Sequence, residues 1–332
     1  MASRRYRLAQ RRRALGFSQE QFAEVLGIER STVVRWEAGQ TEPQPWLRPK
    51  IALVLQVSID QLDQLLATAG SPDMSSDERL TYALEHPESA DLIAVARLRE
   101  RVHALDFRYD RVPSTSLLAD AGQCLGQVGL LRAHTAISRV RRELVSVEAE
   151  GAILMGQLVW DASQRRDHAT ARIYFDRAID AAQQLGDPVA EGLALLRKSF
   201  VALYGEKDAR GGLNLAMQTA YATKRTSRVL TGLAVLHVAE AHAMLGRQHE
   251  CEQALSDAER QLSRIGVTDA AIDLFSPTQY GRLAGSCYLF LDDARRAQPI
   301  LESTASAAGQ LEVASHRSWQ PGAREREARR AR

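Results

Sequence analysis

The side chains best suited to chemistry in this chain are arginines, and they are bunched near its start. Residues 1–50 hold ten basic side chains (Arg4, Arg5, Arg7, Arg11, Arg12, Arg13, Arg30, Arg35, Arg48 and Lys50) against five glutamates, a local charge of +5 in a 332-residue chain whose total is +2. A patch of that sign attracts a polyanion, and the average over the whole chain hides it. Within the patch, Arg30, Ser31, Thr32, Val34 and Arg35 fall on one side of a helical stretch, while Val33 and Trp36 fall on the other. An exposed helix of this size, carrying a row of hydrogen-bond donors, fits the major groove of a nucleic-acid duplex.

Other chemistries are poorly served. The eight histidines offer no ligand set. His237 and His242 lie on different faces of one helix, and HVAEAH lacks the spacing of a zinc protease. The glycines of GQCLGQVG (122–129) sit in a helical context, which reads as close helix packing and not as a phosphate loop. Neither G-x-x-x-x-G-K-[ST] nor G-x-S-x-G occurs. The expectation is therefore no enzyme, no metal and no cofactor. Cys124, Cys251 and Cys287 are odd in number and far apart in sequence, and read as small buried apolar residues of a reducing cytoplasm. No apolar run reaches the ~18 residues of a membrane span, and MASRRYRLAQRRR passes from charge straight into helix without an apolar signal core. A soluble, cytoplasmic protein is expected. Its preference for Arg over Lys is that of a GC-rich bacterial genome.

The elements that must carry the arginines are legible from their punctuation. Arg7–Leu15 reads as a helix ended by Gly16, a residue at ease in the left-handed conformation of a C-cap. Ser18 is an N-cap for a helix over Gln19–Leu26, which Gly27 ends, and Ile28 plugs the core beyond it. A third helix follows over about Arg30–Ala38, stopped by Gly39, and Ser58 with Gln61 forms a capping box for a later one. Pro49 requires the fourth helix to start there or to follow a separate turn, and Trp46 reads either as core or as a backbone contact.

This segment, LAQRRRALGFSQEQFAEVLGIERSTVVRWEAGQTEP (8–43), resembles the lambda-repressor-like, XRE-type helix-turn-helix family, and the similarity continues through PKIALVLQVSIDQLDQLL to Leu66. The resemblance implies a five-helix DNA-binding domain over residues 1–66. By position, Arg30, Ser31, Thr32 and Arg35 match the places where that family meets base edges, with Arg35 able to grip guanine O6 and N7 through two donors. Gln19 and Arg11 match phosphate contacts. Arg12 and Glu37 match an ion pair joining the first and third helices. The implied partner is double-stranded DNA, as a palindromic operator bound by a homodimer.

Beyond a linker at ATAGSPDMSSDE (67–78), the chain is Ala- and Leu-rich helix without strand patterns, so the fold class is all-α. A recurrent spacing of small, large and small residues appears at Ala171/Phe175/Ala178, Leu213/Met217/Ala220 and Cys251/Leu255/Ala258, with a weaker copy at Ala297/Leu301/Thr304. The steps of 42, 38 and 46 residues suit stacked helix hairpins over 79–314. Residues 156–188 resemble a tetratricopeptide repeat, and the alternative is a generic helical bundle. The order of the two domains resembles the peptide-sensing RRNPP regulators, which implies dimerisation and a peptide or protein ligand in the groove. Groove candidates are Gln157, Asp161, Arg197, His237 and Glu240, each of which reads equally well as a solvated position. No large apolar patch is expected on residues 1–66, which leaves dimerisation to the second domain. SHRSWQPGAREREARRAR (315–332) reads as a basic disordered tail, an artificial extension or a frame-shifted end. A sequence-specific regulator is the leading reading. A protein-interaction scaffold with a vestigial helix-turn-helix is the alternative, and an antitoxin-type repressor fits less well with so large a second domain.

Overall fold

A computed structural model describes residues 6–66, 75–266, 268–276 and 278–318, all of whose regular elements are helices. Five helices come first: α1 (Tyr6–Ala14), α2 (Gln19–Leu26), α3 (Arg30–Glu37), α4 (Arg48–Val54) and α5 (Ile59–Leu66). Their limits follow from local chemistry. Ser18 and Gln21 exchange backbone and side-chain hydrogen bonds at the start of α2, and Ser58 and Gln61 do the same at the start of α5. Gly16, Gly27 and Gly39 take φ of 80°, 74° and 69° after the first three helices. Pro49 lies in the first turn of α4, and a separate 3-10 turn, Pro45–Leu47, precedes that helix. The enclosed core is Leu8, Phe22, Leu26, Val33, Trp36, Ile51, Leu55 and Leu62. Trp46 and Leu53 stay outside it, 74% and 79% exposed.

Eleven further helices are described: α6 (Ser76–Glu85), α7 (Leu92–Tyr109), α8 (Leu118–His134), α9 (Ser138–Ala162), α10 (His168–Leu185), α11 (Pro188–Phe200), α12 (Ala209–Thr223), α13 (Arg228–Met244), α14 (Gln248–Leu262), α15 (Gln279–Phe290) and α16 (Ala294–Ser318). Of the segment read as a linker, residues 67–74 lie outside the described residues, and 76–78 open α6 under a Ser75–Glu78 capping box. Of the basic tail, 319–332 lie outside as well. The chain divides into two compact units, 1–100 with 127–144 and 101–126 with 145–332.

In the second unit, consecutive helices from α10 to α14 pack pairwise, as do α15 and α16. The bends between them are capped: Gly186 (φ 66°) and Gly246 (φ 70°) end helices, while Asp187 and Asp208 accept amide hydrogens at the next N-termini. Asp269 reaches back to cap α13, taking hydrogen bonds from Ser227 Oγ at 2.6 Å and the Arg228 amide at 2.7 Å. Ala171, Phe175 and Ala178 are fully buried, and so, to within a few per cent, are Cys251, Leu255 and Ala258. The copy on α12 is displaced by one residue. Gly212, Ala216 and Thr219 are the buried set, whereas Met217 is 56% exposed. Leu203 occupies the space a side chain at 212 would need, so the close crossing falls on the glycine. A search for a large middle residue passes over that register.

One smaller reading changes. Gly122, Gly126 and Gly129 are helical, but a side chain at Gly126 would meet nothing within 4 Å, so that glycine makes no close approach. Cys251 and Cys287, remote in sequence, come together in one buried core cluster, and all three cysteines are free and buried. No helix among the described residues is long and apolar enough to cross a membrane.

Gly156 shows what the tight packing demands: a Cβ there would lie 2.7 Å from the Phe175 ring. Gly156→Ala is expected to destabilise the chain by about 1–3 kcal/mol through overpacking. Gly126→Ala, on an open helix face, should stabilise by up to about 1 kcal/mol through helix propensity. Urea unfolding of the two variants tests this, and equal effects would contradict the packing argument.

Candidate functional site

The arginine-rich helix α3 owes its place to one carboxylate. Glu37, at the C-terminal end of α3, is 9% exposed and Arg12 on α1 is 3% exposed. Arg12 Nε donates to Glu37 Oε1 at 2.7 Å and Nη2 to Oε2 at 3.3 Å. Gln19 Nε2, at the first position of α2, donates to the same Oε2 at 2.8 Å. The third Arg12 nitrogen, Nη1, donates to the Phe17 carbonyl. A planar guanidinium that meets a carboxylate in two parallel bonds fixes an angle as well as a distance. Three helices therefore converge on one buried charge pair.

The expected contact residues stand as follows. Arg30, Ser31 and Arg35 are exposed and Thr32 half-buried on the outer side of α3, with Val33 and Trp36 beneath. In the unbound protein each polar one already has a partner. Arg30 Nε pairs with Glu20 Oε1 at 2.7 Å, and Ser31 Oγ donates to Glu29 Oε2 at 3.1 Å. Arg35 folds back along its helix toward the Ser31 carbonyl and Thr32 Oγ1, both at 3.4 Å. The Glu20 carboxyl is held below its ordinary range, chiefly by its own backbone amide and then by the Arg30 charge. The acidic partners Glu20, on α2, and Glu29, at the N-cap of α3, escaped the sequence reading, because the Arg30–Glu20 pair forms between two helices.

Arg11 is engaged inside the domain. Its Nε donates to the Leu55 carbonyl at 3.0 Å and its Nη2 to the Gln56 carbonyl at 3.1 Å, so a cation closes the C-terminal end of α4. Lys50 closes α2 likewise, through the Leu26 carbonyl at 3.1 Å.

The family model described as helix-turn-helix matches residues 8–62. Residues 8–62 are a DNA-binding helix-turn-helix domain. No curated protein matches its sequence. Among solved structures, Bacillus thuringiensis PlcR in complex with the peptide PapR7 and DNA is similar at 14% identity and a TM-score of 0.41, over 94% of this chain and 96% of that one.

The second unit of this helix-turn-helix protein contains a cavity of about 450 Å³. All five groove candidates line it: Gln157 and Asp161 from α9, Arg197 from α11, and His237 and Glu240 from α13. Sequence reasoning missed the rest of the lining, which includes Tyr109, Trp160, Arg165, Phe175, Phe200, Tyr204, Gln279 and Arg282. Aromatic residues recurring on neighbouring helices were the available signal, but they read equally as core. Tyr204 is presented by a π-helical turn, Val201–Glu206, that follows α11.

The acids in the cavity are occupied. Glu240 accepts from the Tyr204 hydroxyl and lies 3.1 Å from His237 Nδ1. Asp161 accepts from the Tyr109 hydroxyl and lies 3.7 Å from Arg165 Nε. Both phenols are pushed up, first by burial and then by these carboxylates. The donors are not all occupied. Arg197 Nε and Trp160 Nε1 are buried without a hydrogen-bond partner, an arrangement that costs about 1–3 kcal/mol per orphaned group. Burial also lowers the Arg197 pKa, against the raising influence of Tyr109, Asp106, Asp110 and Asp161. Among the described residues no group of three His, Cys, Asp or Glu is arranged to hold a metal ion.

Removing Glu37 strands Arg12 in the core. Glu37→Ala is expected to cost about 3 kcal/mol or more, read as faster hydrogen exchange of the α1–α3 amides in the full chain. Unchanged protection would show that the pair is dispensable.

Proposed function

We propose that this chain acts in the cytoplasm as a dimeric, ligand-responsive transcriptional regulator with no catalytic role. Its α3 enters the major groove, and its helical second domain binds a signal and supplies the dimer. The outward face of α3 carries the reading: four polar side chains at groove-reaching positions, on a helix whose inner face is fully engaged. Arg30, Ser31, Thr32 and Arg35 are the proposed base contacts. Each exchanges a weak internal partner for a base edge, so the internal bonds hold the side chains ready without blocking them. Gln19 is proposed to meet a phosphate through its amide at the start of α2. Arg11 is the second proposed phosphate contact, on condition that it releases the α4 carbonyls. The cavity supports the signal-binding half, since its size lies within the roughly 300–1,000 Å³ typical of ligand pockets. It suits a small molecule or the end of a peptide better than a folded protein.

A single helix-turn-helix reads one face of the groove, so useful specificity needs two, with half-sites about one helical turn apart. Sedimentation of the full chain at micromolar concentration is expected to give a dimer. A monomer that still binds its operator tightly would refute the architecture. Arg35→Ala should weaken specific binding by about 1–3 kcal/mol and relax preference at one base position. Binding to the chain's own promoter DNA, compared with random DNA across a salt series, measures this. Equal losses on the two DNAs would make Arg35 a phosphate contact instead.

A further inference from the structure

We infer that the cavity of the second unit is a receptor for a monocarboxylate with an apolar or aromatic body, held by the Arg197 guanidinium and the Trp160 N–H. The inference rests on the reading of this cavity as the signal site and names the chemistry of its ligand.

Three observations carry it. First, Arg197 makes no hydrogen bond or ion pair among the described residues, and its Nε is sealed from solvent. Its charge lies over the Phe200 ring, 5.6 Å from the centroid, and feels Asp106, Asp110 and Asp161 only from beyond ion-pair distance. A buried guanidinium keeps such a position when something else completes its donor fork, and a planar carboxylate matches that fork. Second, Trp160 Nε1 is a donor-only group lining the same cavity and equally without an acceptor. Two orphaned donors on residues that line one cavity call for an acceptor from outside. The carboxylates already there are turned to Tyr109, Arg165, Tyr204 and His237, and neither accepts from Arg197 Nε or Trp160 Nε1.

Third, the charge balance selects the anion. The lining carries three guanidinium groups, Arg165, Arg197 and Arg282, against two carboxylates, Asp161 and Glu240, an excess of one positive charge among these five. One negative charge neutralises it, whereas a phosphate dianion would be left in excess beside two carboxylates. The rings of Trp160, Phe175, Phe200 and Tyr204 in the same wall provide for an apolar body.

Two sources share this chemistry: a free small organic acid and the C-terminal carboxylate of a short peptide. The test titrates full-length protein with 3-phenylpropanoate, its neutral amide and phenylphosphate, and with a pool of aromatic tripeptides bearing free or amidated C-termini. Binding is followed by calorimetry and by the indole N–H resonance of Trp160, assigned with Trp160→Phe. The expected result is that the acids, the free peptides or both bind at least tenfold more tightly than their amides and than phenylphosphate. The Trp160 indole proton should move downfield in step. Arg197→Ala should lower the affinity at least tenfold, Arg197→Lys should restore part of it, and helix content should not change. Preference for free peptides over small acids, or the reverse, identifies the source. Equal binding of acid and amide, or an unaltered affinity in Arg197→Ala, would overturn the carboxylate assignment while leaving the cavity a ligand site. Failure of every probe to bind at millimolar concentration would overturn it too. Carboxylate binding that moves the Trp160 signal without altering operator affinity would instead refute the signalling role and keep this inference.

Discussion

The DNA-binding unit depends on the carboxylate of Glu37. Three short helices of eight or nine residues each are too short to be stable alone, so their stability must come from packing against one another. Apolar contacts among Phe22, Val33 and Trp36 provide most of that stability but tolerate small rotations. The two-pronged bond from Arg12, with the third bond from Gln19, does not. A buried ion pair is seldom worth more than an apolar contact of equal volume. Its value here is directional: it sets the angle at which α3 leaves the domain, and hence where Arg30 and Arg35 point.

A similar economy governs the outer face of α3. Glu20 and Glu29 engage Arg30 and Ser31 at the surface, where ion pairs are weak and screened. Partners of that strength order the side chains and are readily exchanged for a polyanion. Arg11 and Lys50, also basic, are tied to helix-end carbonyls and so belong to the scaffold as much as to any interface. Counting positive charges alone would not separate the two groups.

In the second unit the constraint is volume. Small residues at the crossings, such as Gly156 against Phe175 and Gly212 against Leu203, let helices approach more closely than side chains would otherwise allow. Larger aromatic and charged side chains are then turned toward the interior space that remains. There the acids find internal partners and two donors do not, so the polar balance of the cavity is left incomplete by the protein itself.

What the sequence determined by itself was local. Helix limits in residues 6–66, the capping boxes at Ser18 and Ser58, the glycine stops and the inward positions of Val33 and Trp36 all depend on neighbours within four or five residues, and were legible in one dimension. The helical character of the remainder was legible for the same reason. The tertiary structure alone decided the one-residue shift of the α12 register, the meeting of Cys251 with Cys287, and the capture of Arg11 by Leu55 and Gln56. It also decided that Gln157, Asp161, Arg197, His237 and Glu240, each of which could have been an ordinary solvated residue, line one cavity with Tyr109 and Arg282. Periodicity tells which side of a helix is buried. It does not tell which other helix that side will face, because that choice is made by the volumes of residues distant in the chain.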